Sequence, residues 1–200
     1  MTTTKSIKGT QTEKNICASY LNETQSYARY NYYAQAADKE GLFPVGVIFR
    51  ATANNEMHHA KVFLKMLENT EVTASVGVEA GFLGKTVDNI KTAMQEEMEG
   101  GYDYYMQCAA TATEEGFDDI AAHFKAIASV EKFHYDRFGR FLDMIQKGTL
   151  WKREKPVTWH CLVCGYEYVG TEPPVKCPGC DHPTSHYICV EDGYCPAPGS

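Results

Sequence analysis

The sequence contains no apolar run of roughly 18 residues, so nothing in it reads as a membrane-spanning helix. It also lacks a basic excess. Its 26 acidic and 19 basic side chains leave a formal charge of -7, which disfavours nucleic acid or an anionic membrane as a partner. The first residues, Met1-Thr2-Thr3-Thr4-Lys5-Ser6, carry no apolar core of a secretory signal, and the cytoplasm is the expected location. Missing too is a disulfide framework: of eight cysteines, Cys161, Cys164, Cys177 and Cys180 form two C-x-x-C pairs and the rest are scattered. That pattern reads as metal binding in a reducing compartment. The length allows one substantial core plus a small appendage.

What is present centres on Glu131-Lys132-Phe133-His134 and its earlier echo Glu56-Met57-His58-His59. In each, Glu and His stand three residues apart, so on a helix both leave one face about a turn apart. Two such faces opposed can hold a pair of metal ions. A shift of 75 residues superposes Glu40-Gly41 on Glu115-Gly116, Phe49 on Phe124, Glu56 on Glu131, His59 on His134 and Phe63 on Phe138, an internal repeat of a helical pair. The repeat predicts one further carboxylate per half, because two cations need more oxygen ligands. Glu23 and Glu97 are the candidates.

Along the chain, Thr10-Gln11-Thr12-Glu13 matches a capping box that opens a helix running to about Lys39. Gly41 is placed to end it, and Pro44 suits the first turn of a second helix reaching about Asn69. Val47, Ile48, Ala51, Met57, Ala60, Phe63, Leu64 and Leu67 keep helical spacing and predict its buried face. Residues 70–81 read as a crossover. A third helix is expected over about 83–114 and a fourth over 117–147, closed by Gly148. Four long helices joined short, long, short make a four-helix bundle with one crossover, a known host for inward-facing Glu and Glu-x-x-His ligands. Residues 149–157 form a charged linker. Short strands and the cysteine pairs follow, a second small domain that needs its metal to fold.

Each C-x-x-C forms a turn that points two thiolates at one place, and two turns close a tetrahedral four-sulfur site for zinc or a single iron. Spacing alone leaves the metal open. In the bundle, four buried carboxylates without cations would cost several kcal/mol for each uncompensated charge, which favours bound metal over solvated helix faces. Mixed carboxylate and imidazole ligands suit iron or manganese. Tyr27, Tyr30, Tyr32, Tyr33, Tyr102, Tyr104 and Tyr105 crowd the same region, most of them as core packing. Tyr30 and Tyr105, two turns from Glu23 and Glu97, are placed to hydrogen-bond ligand carboxylates or bound peroxide.

With both centres placed, the sequence resembles the rubrerythrin family through Arg29-Tyr30-Asn31-Tyr32-Tyr33, Glu56-x-x-His59-Ala60-Lys61, Glu131-x-Phe133-His134 and Cys161-x-x-Cys164-Gly165-Tyr166. The resemblance implies a mainly α protein with a ferritin-like di-iron bundle over 1–148, a linker over 149–157, a rubredoxin-like Fe(Cys)4 domain over 158–190 and a tail over 191–200. It implies a peroxidase that reduces hydrogen peroxide to water in oxidative-stress defence. Electrons would enter through the Fe(Cys)4 centre from rubredoxin or a flavoprotein reductase drawing on NAD(P)H. A homodimer or higher homo-oligomer is implied as well. Glu23, Glu56, His59, Glu97, Glu131 and His134 match the family's di-iron ligands, with Glu56 and Glu131 as bridges and His59 as the ligand of the reduced state. One family carboxylate, three residues after Glu97, is replaced by Gly100. On an ideal helix Glu96 points about 100° away from Glu97, and Glu99 about 100° away from Gly100. Two other readings share the sequence: a ferroxidase or iron-handling protein, and a metal-stabilised interaction module. Cys17 and Cys108 are expected as core residues, Cys189 and Cys195 as part of the tail.

Overall fold

The structure, a computed structural model, describes residues 5–68, 71–78 and 83–192. Its first helix, α1 (Gln11–Lys39), starts at the expected cap: the Glu13 N–H donates to the Thr10 hydroxyl oxygen at 3.1 Å. The Glu13 carboxylate in turn accepts from the Gly9 N–H at 2.8 Å, which satisfies a second amide at the helix entrance. Gly41 ends α1 at φ 74°, and Pro44 stands in the first turn of α2 (Phe43–Met66). Gly116, the repeat partner of Gly41, has φ 75° and makes the turn into α5 (Asp118–Lys147). Only a residue without Cβ takes this left-handed conformation freely.

The third rod is not one α-helix. α3 (Thr86–Gln95) runs into eight residues of π-helix, Glu96–Asp103, before α4 (Tyr104–Glu114) resumes. Gly100 and Gly101 lie inside that π segment, where weak helix propensity lowers the cost of widening the turn. A Cβ on Gly101 would fall 2.8 Å from Cγ of Glu131, so the glycine lets α5 bring that carboxylate in close. The described part of the crossover, 71–78, has neither helix nor strand.

Two apolar clusters fill the bundle, and the polar residues lie between them on every helix. Ile16, Phe63, Tyr105, Phe124 and Ile127 belong to one cluster; Tyr30, Phe49, Ala53, Ile90, Ala93 and Phe138 belong to the other. Glu23 on α1, Glu56 on α2, Glu97 on the π segment and Glu131 on α5 each fall in the gap, all buried. The buried face of α2 is rotated from the expected apolar one: Ala51, Met57 and Leu64 are exposed and Thr52 is buried, while Glu56 points into the bundle as expected. The inner stripe is given over to polar groups, which displaces apolar residues outward. Among the described residues no helix is long and apolar enough to cross a membrane.

After Gly148 a three-stranded antiparallel sheet follows, in the order β2 (Glu167–Gly170), β1 (Val157–Cys161), β3 (Tyr187–Cys189). The expected linker is tightly packed. Trp151 packs against both the bundle and the sheet, and its indole N–H donates to the Tyr187 carbonyl at 3.0 Å. Arg153 donates to the Thr149 carbonyl at 2.6 Å and pairs with Asp192 at 2.5 Å. Phe43 stacks on His186, ring centres 4.0 Å apart, and Ile188 joins the bundle cluster. The sheet is thereby clamped to the start of α2. Cys189 is not a tail residue: it is buried in β3 opposite Trp159, because the third strand continues through it. Cys195 lies outside the described residues.

Candidate metal centre

Each half of the repeat delivers its Glu and His to one place. Glu23, Glu56, His59 and Glu131 offer ligand atoms within 4.8 Å of one another, and so do Glu56, Glu97, Glu131 and His134. The two sets share Glu56 and Glu131, which is the connectivity of two adjacent cation sites with two common carboxylates. His134 Nδ1 lies 3.1 Å from Glu131, 3.2 Å from Glu56 and 3.3 Å from Glu97. His59 Nδ1 lies 3.1 Å from both Glu56 and Glu131 and 3.8 Å from Glu23.

Protein groups alone do not satisfy this cluster. Oε1 of Glu56, Glu97 and Glu131 is buried and makes no hydrogen bond, although two of these oxygens come within 3.2 Å of a histidine nitrogen. Proximity without hydrogen-bonding geometry leaves lone pairs unmatched, at a cost of about 1–3 kcal/mol each. Burial and then the charge of Glu97 push Glu56 well above the ordinary carboxylate range. Burial, followed by the charges of Glu56, Glu97 and Glu23, does the same to Glu131. Glu97 goes the other way: burial opposes its charge, but the hydrogen bond from His134 holds it down. Burial also works against both imidazolium ions, yet hydrogen bonds to the carboxylates, Glu131 first, raise them, His59 to about 12. Without cations the site is held together by protons. Two divalent ions in their place would satisfy the orphaned oxygens and neutralise the four carboxylates, so the residues fit a di-iron pair.

The expected tyrosines divide. Tyr27 and Tyr32 are exposed, whereas Tyr30, Tyr33 and Tyr105 are buried. Tyr105 donates to Oε1 of Glu23 at 2.6 Å, and buried Tyr30 stands near Glu97, whose charge helps keep the phenol protonated. Burial first, then the neighbouring carboxylates, raises both phenols well above their usual range, so both keep their protons. A cavity of about 270 Å³ adjoins the cluster, walled by Glu23, Glu97, Glu131, Tyr30, Tyr105 and Gly100. Of the carboxylates beside Gly100, Glu96 pairs with Arg29 and Glu99 accepts from Gln95 at 3.2 Å. Neither belongs to the two ligand sets. Sequence reasoning missed Asn55, whose Oδ1 lies 3.2 Å from His134 Nε2, and buried Arg137, which donates to Thr52 at 2.6 Å. Their only sequence signal is adjacency: Asn55 precedes Glu56, and Arg137 follows His134 by three residues.

In the small domain Cys161, Cys164, Cys177 and Cys180 bring four sulfurs within 4.8 Å of one another. Cys161 and Cys180 sulfurs are 3.7 Å apart, as are those of Cys164 and Cys177. A tetrahedral ion with metal–sulfur bonds of about 2.3 Å requires sulfur–sulfur edges of roughly 3.8 Å, so the four fit one ion. Cys161 and Cys177 are buried and Cys164 is exposed, which leaves one edge of the site open. Cys17 and Cys108 are buried in the bundle, as their helical positions predict.

The sequence profile described as Rubrerythrin matches residues 14–142, and that described as Rubrerythrin, rubredoxin-like domain, matches residues 159–188. The rubrerythrin of Porphyromonas gingivalis is 36% identical over 190 residues, 95% of either chain. That of Nitratidesulfovibrio vulgaris is 38% identical, covering 92% of this chain and 96% of the relative. Among solved structures, fully reduced, all-ferrous nigerythrin superposes with a TM-score of 0.58 at 23% identity, covering 94% of this chain and 91% of that one, a likeness of fold. The chain therefore belongs to the rubrerythrin family, iron proteins that combine a carboxylate and histidine di-iron site with a four-cysteine iron site.

Proposed function

We propose that this rubrerythrin is a non-haem di-iron peroxidase that reduces hydrogen peroxide to water. In this reading Glu23, Glu56, His59, Glu97, Glu131 and His134 hold the iron pair, and Cys161, Cys164, Cys177 and Cys180 hold a single iron through which electrons enter. The observation that carries it is the cavity wall: four ligand-type carboxylates and two protonated phenols face one space. Two irons together supply the two electrons that cleaving an O–O bond requires. The chain supplies the rest. Tyr105, hydrogen-bonded to Glu23, and Tyr30, near Glu97, hold hydroxyl protons beside the cavity. Tyr105 orients Glu23 and can donate to a peroxide oxygen only by swinging its one proton away from that carboxylate, while the Tyr30 hydroxyl is the second donor; reduction to two waters consumes two protons in all. Gly100, whose Cβ would meet nothing within 4 Å, keeps the cavity open next to Glu97. His59 stays a ligand in both oxidation states, because no side chain at position 100 competes for its place.

The electron route runs between chains. The small domain meets α2 at Phe43, which stacks on His186, and the helix from there to Glu56 is roughly 20 Å long at 1.5 Å per residue, which argues for a long path between the two sites within one chain. The clamp formed by Trp151 and Arg153 holds the sheet there. Met57 and Phe133, next to Glu56 and His134, are exposed apolar groups, as are Val163 and Tyr166 beside Cys164. A homo-oligomer that seats the thiolate edge of one chain on the Met57 and Phe133 surface of another would cover both. Rubredoxin or a flavoprotein reductase using NAD(P)H serves as the cytoplasmic donor. The working units are 1–148, the clamp over 149–157, 158–190 and the tail from 191. Anaerobically reduced protein should consume peroxide without releasing O₂ while both iron centres oxidise. Release of O₂, or uptake of iron far beyond three per chain, would point to a different activity.

A further inference from the structure

The two halves of the repeat treat their histidines differently. Shifting by 75 residues pairs Glu56 with Glu131 and His59 with His134, and it pairs Asn55, just before Glu56, with Val130, just before Glu131. Asn55 reaches across from α2 to α5, where its Oδ1 lies 3.2 Å from Nε2 of His134. An amide oxygen is an acceptor only, so Nε2 carries a proton; when a cation displaces the proton on Nδ1, the ring is held as the tautomer whose Nδ1 lone pair faces the carboxylates. Nδ1 is the nitrogen within 3.3 Å of Glu56, Glu97 and Glu131. In the other half the register position is a valine, which offers no acceptor. The side chain of His59 is correspondingly less enclosed, 13% exposed against 1% for His134.

We propose that Asn55 is a positioning residue for the metal beside His134: it fixes the ring's tautomer and orientation, and the lack of a counterpart at Val130 leaves the His59 side the more labile of the two. The inference rests on the di-iron reading of the bundle. A hydrogen bond to the remote nitrogen of a histidine ligand is worth roughly 10–100-fold in metal affinity. The ions should therefore leave in two steps, and the order is set by a residue that binds neither.

The test uses the full-length protein loaded anaerobically with ferrous iron, with metal counted per chain before anything else. Fewer than two bundle irons in the wild type would sink the di-iron reading itself and is distinguishable from failure of this inference. With two bound, release to a ferrous chelator should be biphasic, and the exchangeable imidazole N–H of His134 should exchange with solvent more slowly than that of His59 by NMR. Asn55→Val should merge the two release phases by speeding the slow one roughly 10–100-fold and should make the His134 N–H exchange rapidly. Asn55→Asp, which keeps an acceptor, should preserve both. Val130→Asn should slow the fast phase, a gain that damage to the fold cannot imitate. Unchanged release and exchange in Asn55→Val overturn the proposal; so does an unchanged fast phase in Val130→Asn if Asn55→Val fails to fold.

Discussion

The carboxylate cluster and the thiolate site bind metal under opposite structural conditions. Ligands for the first come from four separate helical rods and meet between two apolar clusters that pack without them. The second is built from two short turns around a sheet whose buried cluster is only Trp159, Tyr187 and three cysteines, two of them ligand candidates. In the bundle the fold makes the site; in the small domain the site makes the fold. The difference teaches where metal loss should be tolerated. Emptying the bundle leaves a folded protein with unsatisfied carboxylates, whereas emptying the thiolate site removes much of what orders the sheet.

The sharpest way to break this contrast is to remove one ligand from each centre. Glu131→Ala deletes a carboxylate shared by both ligand sets and should cut bundle iron from two to none, with peroxide turnover at background and the helical circular dichroism retained. Cys161→Ser should abolish the colour of the thiolate iron and turnover with a rubredoxin-type donor. Its chemically reduced bundle should still react with peroxide, and amide exchange should rise in Val157–Cys189 while α1 to α5 stay protected. Equal loss of structure in both variants would erase the distinction.

A subtler comparison uses adjacent glycines. Gly101→Ala drives a methyl into Glu131, with Cγ at 2.8 Å and Cβ at 2.9 Å, and should weaken bundle metal binding by about 1–3 kcal/mol. Gly100→Ala meets nothing within 4 Å and should leave iron affinity unchanged while raising thermal stability by up to about 1 kcal/mol. Isothermal titration of ferrous iron and calorimetric melting would separate them.

The pH response should also differ between metal-free and loaded bundles. His59, raised from 6.5 to about 12, and His134, also raised, stabilise the metal-free fold below pH 6.5, and that contribution is lost as pH rises through the folded values. Glu56 and Glu131, raised by burial, act in the same direction from about pH 4.5 upward; Glu97, lowered, opposes them only at acid pH. The metal-free melting temperature should therefore fall between about pH 5 and 9. Metal binding displaces these protons, so the gap between loaded and stripped protein should widen over the same range. Parallel melting curves would contradict the assignment. Tyr105→Phe, which deletes the 2.6 Å bond to Glu23, should lower turnover by about tenfold with two bundle irons still bound.

Much of this was legible in the chain because the bundle's chemistry is periodic. The three-residue spacing of Glu56 with His59 and of Glu131 with His134, doubled by the repeat, identifies a face and its partner. The C-x-x-C pairs do the same for the turns. What escaped is what depends on contacts between rods. Gly100-Gly101 hints at a weak helix but does not specify eight residues of π-helix or the approach of Glu131 to Gly101. The apolar spacing of α2 fixes its period without fixing its rotation, so Met57 and Leu64 turn outward while Thr52 turns in. Arg153 and Trp151 read as a charged linker because nothing local reveals that Thr149, Tyr187 and Asp192 will surround them.

Stopped-flow mixing of fully reduced protein with a limiting amount of hydrogen peroxide, followed at the ferric–thiolate absorption, tests the central claim most directly. If peroxide is reduced at the carboxylate cluster and the thiolate iron feeds it, the colour should appear in the wild type in proportion to peroxide added, two electrons per molecule. In Glu131→Ala it should stay absent on the same timescale. Colour that develops equally fast in Glu131→Ala would show that peroxide oxidises the thiolate iron without the bundle, and the account of the two centres would be wrong.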